Sequence, residues 1–357
     1  MKIFSCAACG QTLFFENSQC TKCGHALAFL PDRALLSAIE PANGPESAGL
    51  FVALAPVVGK GIRYRQCGNQ IDHAACNWAV PEGDPQRYCR ACRLNQLIPN
   101  LANPGARAAW EKLESAKRRL IYTLIGLGLP LESREQLPEG GLAFCFLQDE
   151  LATEKVFTGH NDGLITINVA EADAPFREKT RLELGETYRT LLGHFRHEIG
   201  HYYWDRLIKR GDHQAGFREL FGDESADYAE AVQAHYQRGA PGDWPTRFVS
   251  SYASMHPWED WAESWAHYLH MVDTLETARS FGLALPPKPE GGARRPESQT
   301  RRLDFDDFDD LMGAWVPLTV AMNSLNRSMG LPDLYPFVLS TPAVAKLRFV
   351  HEVIESA

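Results

Sequence analysis

The chain has 357 residues, of which 45% are hydrophobic and 23% charged, and its formal net charge is −9. Such a chain can bury one sizeable core and carry small modules beside it. Residues 1–100 contain nine Lys and Arg against seven Asp and Glu, a net charge of +2, which leaves −11 for the remainder. This acidic remainder disfavours nucleic-acid binding by the whole protein. Every uncharged apolar run is shorter than the roughly 18 residues that a membrane-spanning helix needs, so a membrane span is excluded.

Two cysteine pairs open the chain. Cys6-x-x-Cys9 and Cys20-x-x-Cys23 are each followed by glycine and are separated by ten residues. Four thiolates in two such knuckles are typical of a tetrahedral structural zinc site, so residues 1–30 are predicted to form a zinc ribbon. A segment of about thirty residues buries too little apolar surface to fold alone. This ribbon should therefore be unfolded without its zinc.

A second cysteine set follows, and it predicts a second zinc-binding module over residues 50–100. Its members are Cys67, Cys76, Cys89 and Cys92. Only the last pair has knuckle spacing, and His73 is an alternative to Cys76 as the fourth ligand. Basic residues gather around this set, a pattern that is more often a solvated face than a nucleic-acid site.

Cysteine usage also bears on the cellular compartment. Paired thiols that bind metal need a reducing environment, and the first residues lack the apolar core of a signal peptide. A cytoplasmic location is therefore expected. The ninth cysteine, Cys145, lies in the apolar run LAFCF and is interpreted as a buried thiol in a strand.

Local patterns predict the elements that follow. Residues 40–49 are predicted to be a loop, and LIPNLANPGARAAW the join to the next domain. Apolar residues at helical spacing after Trp110 predict a helix that ends near Gly126–Pro130. The runs GLAFCFL and GLITINV predict two strands, and the turn-like GHNDG introduces the second. Residues 286–302 are polar and proline-rich and are predicted to be a mobile insertion.

The run HEIGH supplies the chemistry of a catalytic metal site. His197 and His201 lie four residues apart, so on a helix both imidazoles share one face and can bind one zinc ion. Glu198 lies beside them and suits the role of general base. Apolar residues at helical spacing, including Phe195 and Ile199, predict that the segment is a buried amphipathic helix.

A catalytic zinc needs a third protein ligand, and the downstream sequence offers several carboxylates. Glu259 and Glu263 lie one helical turn apart in HPWEDWAESWAHYLH, where one could bind metal while the other holds a ligand histidine by its far nitrogen. Pro257 suits the first turn of that helix. The rival group is Asp223, Glu224 and Asp227. Ligand chemistry and spacing favour Glu259 and leave the others open.

HEIGH followed by EDWAE resembles the gluzincin metallopeptidases. That resemblance implies that Glu259 is the third zinc ligand and that Glu263 orients a ligand histidine. It also implies that Tyr252, seven residues before the ligand glutamate, stabilises the oxyanion of the reaction. His256 is an alternative donor for that charge, since it lies near the expected ligand.

Nearly the whole chain resembles a bacterial family of zinc-binding metallopeptidases that carry an N-terminal zinc ribbon. The resemblance implies an α+β, zincin-like metallopeptidase domain over residues 105–357 that is mostly helical after the active-site helix. It also implies that the strand before that helix lies at the sheet edge and pairs with extended substrate. That strand consists of Leu164, Ile165, Thr166, Ile167 and Asn168.

These observations predict a zinc peptidase with one catalytic and two structural zinc ions, acting on a peptide or protein substrate. A protein partner could bind through the ribbons. The alternative from another class is a zinc-ribbon adaptor whose zincin domain has no turnover, which the intact HEIGH motif disfavours. Trp258, Trp261 and Trp265 follow helical spacing and are interpreted as core packing against the zinc helix.

Overall fold

The structure is a computed structural model, and it describes residues 2–44, 47–59, 61–149, 156–184, 189–283 and 307–357. The insertion predicted at 286–302 lies outside these residues. Strands and helices are both present, with the described strands in the first half of the chain and most of the helices in the second. This arrangement confirms the predicted α+β class. Within the described residues, no helix combines the length and apolarity needed to cross a membrane.

Eleven strands are found in the described part of the chain. They are β1 Phe4–Ser5, β2 Thr12–Leu13, β3 Leu27–Leu30, β4 Leu35–Pro41, β5 Leu50–Ala53, β6 Arg63–Gln66, β7 Ala79–Pro81, β8 Asn95–Leu97, β9 Ala143–Leu147, β10 Gly159–Asn161 and β11 Leu164–Asn168. The strands β1 and β2 form a hairpin, and β3 to β7 form an antiparallel sheet in sequence order. Because β4 extends to Pro41, the predicted loop at 40–49 begins two residues later than expected.

The five-stranded sheet connects the two cysteine modules. Its first strand follows the first cysteine set, and its last strand, β7, lies among the cysteines of the second. An aromatic cluster at one end of this sheet contains Phe15, Phe29 and Trp78, with ring centroids 4.8–6.1 Å apart. Tyr122 of the following helix packs against Phe15 at 5.0 Å. The N-terminal modules and the rest of the chain therefore share one hydrophobic core.

Nine α-helices are described. They are α1 Gly68–His73, α2 Ala106–Gly126, α3 Ala174–Leu184, α4 Leu191–Tyr203, α5 Gln214–Phe221, α6 Tyr228–Arg238, α7 Pro257–Ser280, α8 Phe308–Ser328 and α9 Thr341–Glu355. The helix predicted after Trp110 is confirmed as α2, and its marker residues are all buried. After α4, one π-helical turn continues over Trp204–Lys209.

The second sheet has the order β10-β11-β9-β8, and it confirms both predicted strands. The strands β9 and β11 are parallel, as are β8 and β9. Cys145 is buried in β9, as predicted, and burial raises the pKa of its thiol. The prediction that Leu164–Asn168 lies at the sheet edge is wrong, because β11 pairs with β9 on one side and β10 on the other.

The reason is a tight turn before β11. The sequence pattern indicated this turn but not the strand that it adds at the sheet edge. Asp162 and Gly163 both have positive φ values, 45° and 82°, as a two-residue type I′ hairpin turn requires. This turn folds the chain back on itself, so β10 forms outside β11 in antiparallel register. The three residues of β10 therefore occupy the edge position.

The helix that carries HEIGH packs closely against α7. A Cβ atom added at Gly200 would lie 3.0 Å from the Cα of Ala262, so only small residues permit this approach. Trp261 donates a hydrogen bond from Nε1 to the Gly200 carbonyl at 2.9 Å, and Trp265 stacks on Tyr203 at 4.9 Å. The interpretation as core packing is confirmed for Trp261 and Trp265, which are fully buried, whereas Trp258 is only partly buried and lines a cavity.

Candidate metal centre

The helix α4 positions the two histidines of HEIGH. Its N-cap is Thr190, whose hydroxyl accepts a hydrogen bond from the Gly193 amide at 3.0 Å and so satisfies one amide of the first turn. Phe195 lies fully buried on the core side. Four-residue spacing brings the Nε2 atoms of His197 and His201 to 3.2 Å from each other. Two lone pairs so close together need a cation or a proton between them.

The helix α7 brings the third donor. Its N-cap is His256, which accepts a hydrogen bond from the Trp258 amide at 3.1 Å, and Pro257 occupies the first helical position. Glu259 therefore lies in the first turn, where it faces α4. Its Oε2 lies 2.9 Å from Nε2 of His197 and 3.5 Å from Nε2 of His201.

These three donor atoms fit a zinc ion. Bonds of 2.0–2.1 Å in a tetrahedral shell place ligand atoms about 3.3 Å apart, and the three observed separations are 2.9, 3.2 and 3.5 Å. Two imidazoles and one carboxylate form a donor set that zinc accepts, with a fourth position open to water. The carboxylate of Glu259 is buried, where an isolated charge would be costly. The structure thus brings together His197, His201 and Glu259.

Glu263 holds the far side of His197. Its Oε1 lies 2.7 Å from His197 Nδ1, and its Oε2 accepts a hydrogen bond from the Ser250 hydroxyl at 2.6 Å. A proton on Nδ1 leaves Nε2 free to bind metal, which is how a carboxylate orients a ligand histidine. Burial alone would raise the pKa of Glu263, but the contact with His197 outweighs it and holds that pKa below its usual range.

The rival carboxylates are engaged elsewhere. Glu224 is bound by Arg218 and by the Gln214 amide, the latter at 2.8 Å. Asp223 accepts hydrogen bonds from the backbone and side chain of Ser225. Asp227 caps α6 by accepting from the Glu230 amide. The structure does not bring any of the three into the cluster around the histidines.

Glu198 and Tyr252 lie beside this cluster. Glu198 is nearly buried, and its charge contributes to raising the pKa of Tyr252, after burial and the charge of Glu259. The Tyr252 ring lies 5.9 Å from that of His197. His256 has both ring nitrogens engaged, since Nδ1 caps α7 and Nε2 donates to the Ala226 carbonyl at 3.1 Å. It is therefore unsuited to the alternative role of oxyanion donor.

Three residues of this site were missed by sequence inspection. The hydroxyl of Tyr228 donates to Glu259 Oε1 at 2.8 Å. The ring of Trp258 lies 3.7 Å from that of His201. His160 of β10 lies 6.3 Å from His201, ring to ring, and burial lowers its pKa to about 3. No local pattern marks Tyr228 or His160. Trp258 could have been found from the sequence, because it directly precedes the expected ligand Glu259.

The N-terminal cysteines form two four-sulfur clusters. Neighbouring Sγ atoms lie 3.7 Å apart in the pairs Cys6–Cys23 and Cys9–Cys20. The same separation joins Cys76 and Cys89 in the second cluster, which also contains Cys67 and Cys92. Zinc–sulfur bonds of about 2.3 Å in a tetrahedral shell produce a spacing of about 3.8 Å, so both clusters fit zinc.

Glycines and an aromatic contact explain the local form of these clusters. Gly10 and Gly24 each follow a knuckle with φ near 75°, a conformation that glycine adopts without strain. The His73 ring packs against Trp110 at 5.5 Å, whereas Cys76 belongs to the four-sulfur group. The geometry therefore favours Cys76 over His73 as the fourth donor of the second cluster.

Together these features define a protein with N-terminal zinc ribbons and a metallopeptidase-like metal centre. Residues 106–353 match the family described as "Putative zinc-binding metallo-peptidase", and residues 3–103 match a zinc-ribbon domain. The chain belongs to that metallopeptidase family, which confirms the resemblance to a family of zinc-binding metallopeptidases with an N-terminal zinc ribbon. Family membership and the two four-cysteine clusters support zinc as the metal.

The chain is also similar to uncharacterised proteins of Mycobacterium tuberculosis and Mycobacterium bovis. Each is 44% identical over 359 residues, which span 99% of this chain and 96% of the relative. The similarity therefore extends through the ribbons and the metal centre alike. No solved structure matches the chain.

Proposed function

We propose that this protein is a zinc-dependent peptidase of gluzincin type. The observation that carries the proposal is the convergence of His197, His201 and Glu259 at separations suited to zinc, directly beside Glu198. Bound zinc would polarise the scissile carbonyl and lower the pKa of a water molecule in the open position. Membership in a zinc-binding metallopeptidase family supports the same reaction class.

Glu198 is the general base of this proposal. It follows His197 directly on α4, and its charge acts on Tyr228 and Tyr252 beside the metal-binding cluster. It takes a proton from the attacking water and later delivers it to the leaving amine.

Two tyrosines are the proposed donors to the oxyanion. The phenols of Tyr228 and Tyr252 both lie under the influence of Glu198 and Glu259, whose charges, after burial, raise the pKa of each tyrosine. Both phenols therefore keep their protons at neutral pH and can donate hydrogen bonds to a developing negative charge. Tyr228 rests on Glu259 before substrate binds and would turn towards the substrate oxygen.

Substrate backbone would pair with β10 rather than with β11. The strand Gly159–Asn161 is the edge of the sheet, and it lies next to the metal site, as the contact between His160 and His201 indicates. Strand addition at an edge binds extended peptide through its main chain, largely irrespective of sequence. The three residues of β10 would bind a short segment of the substrate around the scissile bond.

The test is Glu198→Gln, which keeps the shape of the side chain and removes the base. Peptide hydrolysis at neutral pH should fall by about 10²- to 10⁴-fold while zinc content and thermal stability stay near wild type. Glu219→Gln, an exposed change on α5, is the matched control and should retain full activity. Equal hydrolysis by wild type and Glu198→Gln would refute the proposal. A fully folded, zinc-loaded wild type that cleaves nothing in a broad peptide library would favour the adaptor alternative.

A further inference from the structure

A cavity of about 370 Å³ opens next to the proposed zinc site. It shares a wall with the metal ligands, because Trp258 and Tyr228 both line it. The Trp258 ring packs against His201, and the Tyr228 hydroxyl donates a hydrogen bond to Glu259. Any peptide bond held at the metal would therefore place a neighbouring side chain at the mouth of this cavity. The volume is near the lower end of the range of ligand sites and can hold one long side chain.

Aromatic rings form much of the cavity wall. Tyr228 lies 5.9 Å from Trp258, and His160 lies 6.3 Å from Trp258, in each case between ring centroids. Trp204 adds a fourth ring from the π-helical turn. The faces of tryptophan and tyrosine attract cations, tryptophan most strongly.

Asp205 supplies a carboxylate to the same cavity. It lies four residues after His201, so it continues the helix face that carries the two ligand histidines. Its side chain is only 20% exposed, whereas that of its ion-pair partner Lys209 is 62% exposed and lies 3.5 Å away. An exposed, flexible lysine is a weak partner that another cation can replace.

The other carboxylates of the cavity contribute less. Glu224 is already held by Arg218 and Gln214. Asp162 is 56% exposed and lies 3.9 Å from Arg210, so water screens it. Asp205 is therefore the carboxylate best placed to receive a new positive charge.

We propose that this cavity is a specificity pocket that takes a cationic side chain, arginine or lysine, from the residue on one side of the scissile bond. The proposal rests on the proposed peptidase function. Trp258 and Tyr228 contact the stem and the charge of the substrate side chain, and Asp205 pairs with its end. Lys209 swings into solvent when the substrate cation arrives.

The experiment compares peptides that differ by one charge. Cleavage sites in a peptide library, read by mass spectrometry, should be enriched in arginine or lysine beside the cut bond. A synthetic pair follows from one such site, with arginine in one peptide and citrulline, its neutral isostere, in the other. Wild type should prefer arginine on the order of 10-fold in kcat/KM, the strength of a hydrogen bond to a charged group. In Asp205→Asn this preference should fall close to one, and in Lys209→Ala it should rise.

A binding measurement separates this proposal from the proposed function. The same peptide pair is titrated by calorimetry into the zinc-loaded Glu198→Gln protein, with and without Asp205→Asn. Tighter binding of the arginine peptide that depends on Asp205 supports the pocket even if the wild type hydrolyses nothing. Hydrolysis with no preference for cationic residues overturns the pocket and leaves the peptidase standing. An arginine preference that is unaltered in both Asp205→Asn and Lys209→Ala also overturns it.

Discussion

Removing Glu263 tests how the metal centre is held together. Glu263→Ala leaves all three proposed ligands in place but deletes the carboxylate that lies 2.7 Å from His197 Nδ1. That N–H is then left without its charged acceptor in a site that is mostly buried. Losing a charge-assisted hydrogen bond in such a site costs about 1.5–3 kcal/mol. Zinc affinity should therefore fall by roughly 10- to 100-fold.

Two further variants calibrate this measurement. Glu259→Ala removes a ligand and should abolish binding at this site, leaving only the zinc held by the cysteine clusters. Glu224→Ala changes the rival carboxylate, which is bound by Arg218, and should leave zinc affinity unaltered. Affinity is measured by competition with chelators of graded strength, and total zinc by elemental analysis. The zinc at the proposed HEIGH site should be the first to leave, because its coordination shell is open.

A reversed order of these variants would refute the reasoning. If Glu263→Ala released the zinc while Glu259→Ala retained it, the two carboxylates would have to exchange roles. If Glu224→Ala released it, the ligand would lie in the segment before α6. Ser250→Ala provides an internal check. It removes the donor to Glu263 Oε2 together with the acceptor of the Ala253 amide, and it should weaken zinc less than Glu263→Ala.

Three further outcomes are expected. The purified protein should carry about three zinc ions per chain by elemental analysis. Cys89→Ser, a change in the buried second cluster, should lose one of them and lower the thermal unfolding temperature. A wild-type total near one would contradict the cysteine sites. Tyr252→Phe should lower kcat by about 10- to 10³-fold, and Tyr228→Phe by a similar factor. If both donate to one oxyanion, the loss in the double variant should be smaller than the two single losses combined. An unchanged kcat in both single variants would exclude this role. Burial lowers the pKa of His267 to about 4, so its contribution to stability is present in full above the unfolded value of about 6.5 and is lost as pH falls towards 4. Urea unfolding at pH 7 and pH 5 should show that the free energy of unfolding falls by up to about 1.4 kcal/mol per pH unit in the wild type. His267→Gln should remove this fall, and an equal fall in both proteins would contradict the prediction.

Much of the local structure could be predicted because its signals lie within a few residues of each other. The spacing of His197 and His201 requires only the periodicity of one helix, and α4 supplies it. The same holds for α2, with its apolar face, and for the strands β9 and β11. The first cysteine cluster follows from two short knuckles that bend the chain wherever they occur.

Contacts between distant parts of the chain were harder to predict. Ligand chemistry and spacing favoured Glu259 but left Glu263 and the group after α5 open, since each lies far from the histidines along the chain. Close packing of α7 on α4, allowed by Gly200 and Ala262, decides which carboxylate faces the ligand nitrogens. Tyr228 reaches the site from an exposed helix, 31 residues before its partner Glu259, and carries no local mark of that contact.

The edge strand shows most clearly which features are local and which depend on the tertiary structure. The sequence by itself determined that residues 164–168 form a strand and that Asp162-Gly163 makes a turn, because alternation and positive φ are local properties. Which strand ends at the sheet edge depends on every neighbour that pairs, and only the tertiary structure decided that it is β10. The metal centre follows the same rule. One helix determines two donors, and the packing of a second helix determines the third, because side-chain direction is set locally whereas proximity is set by the path of the whole chain.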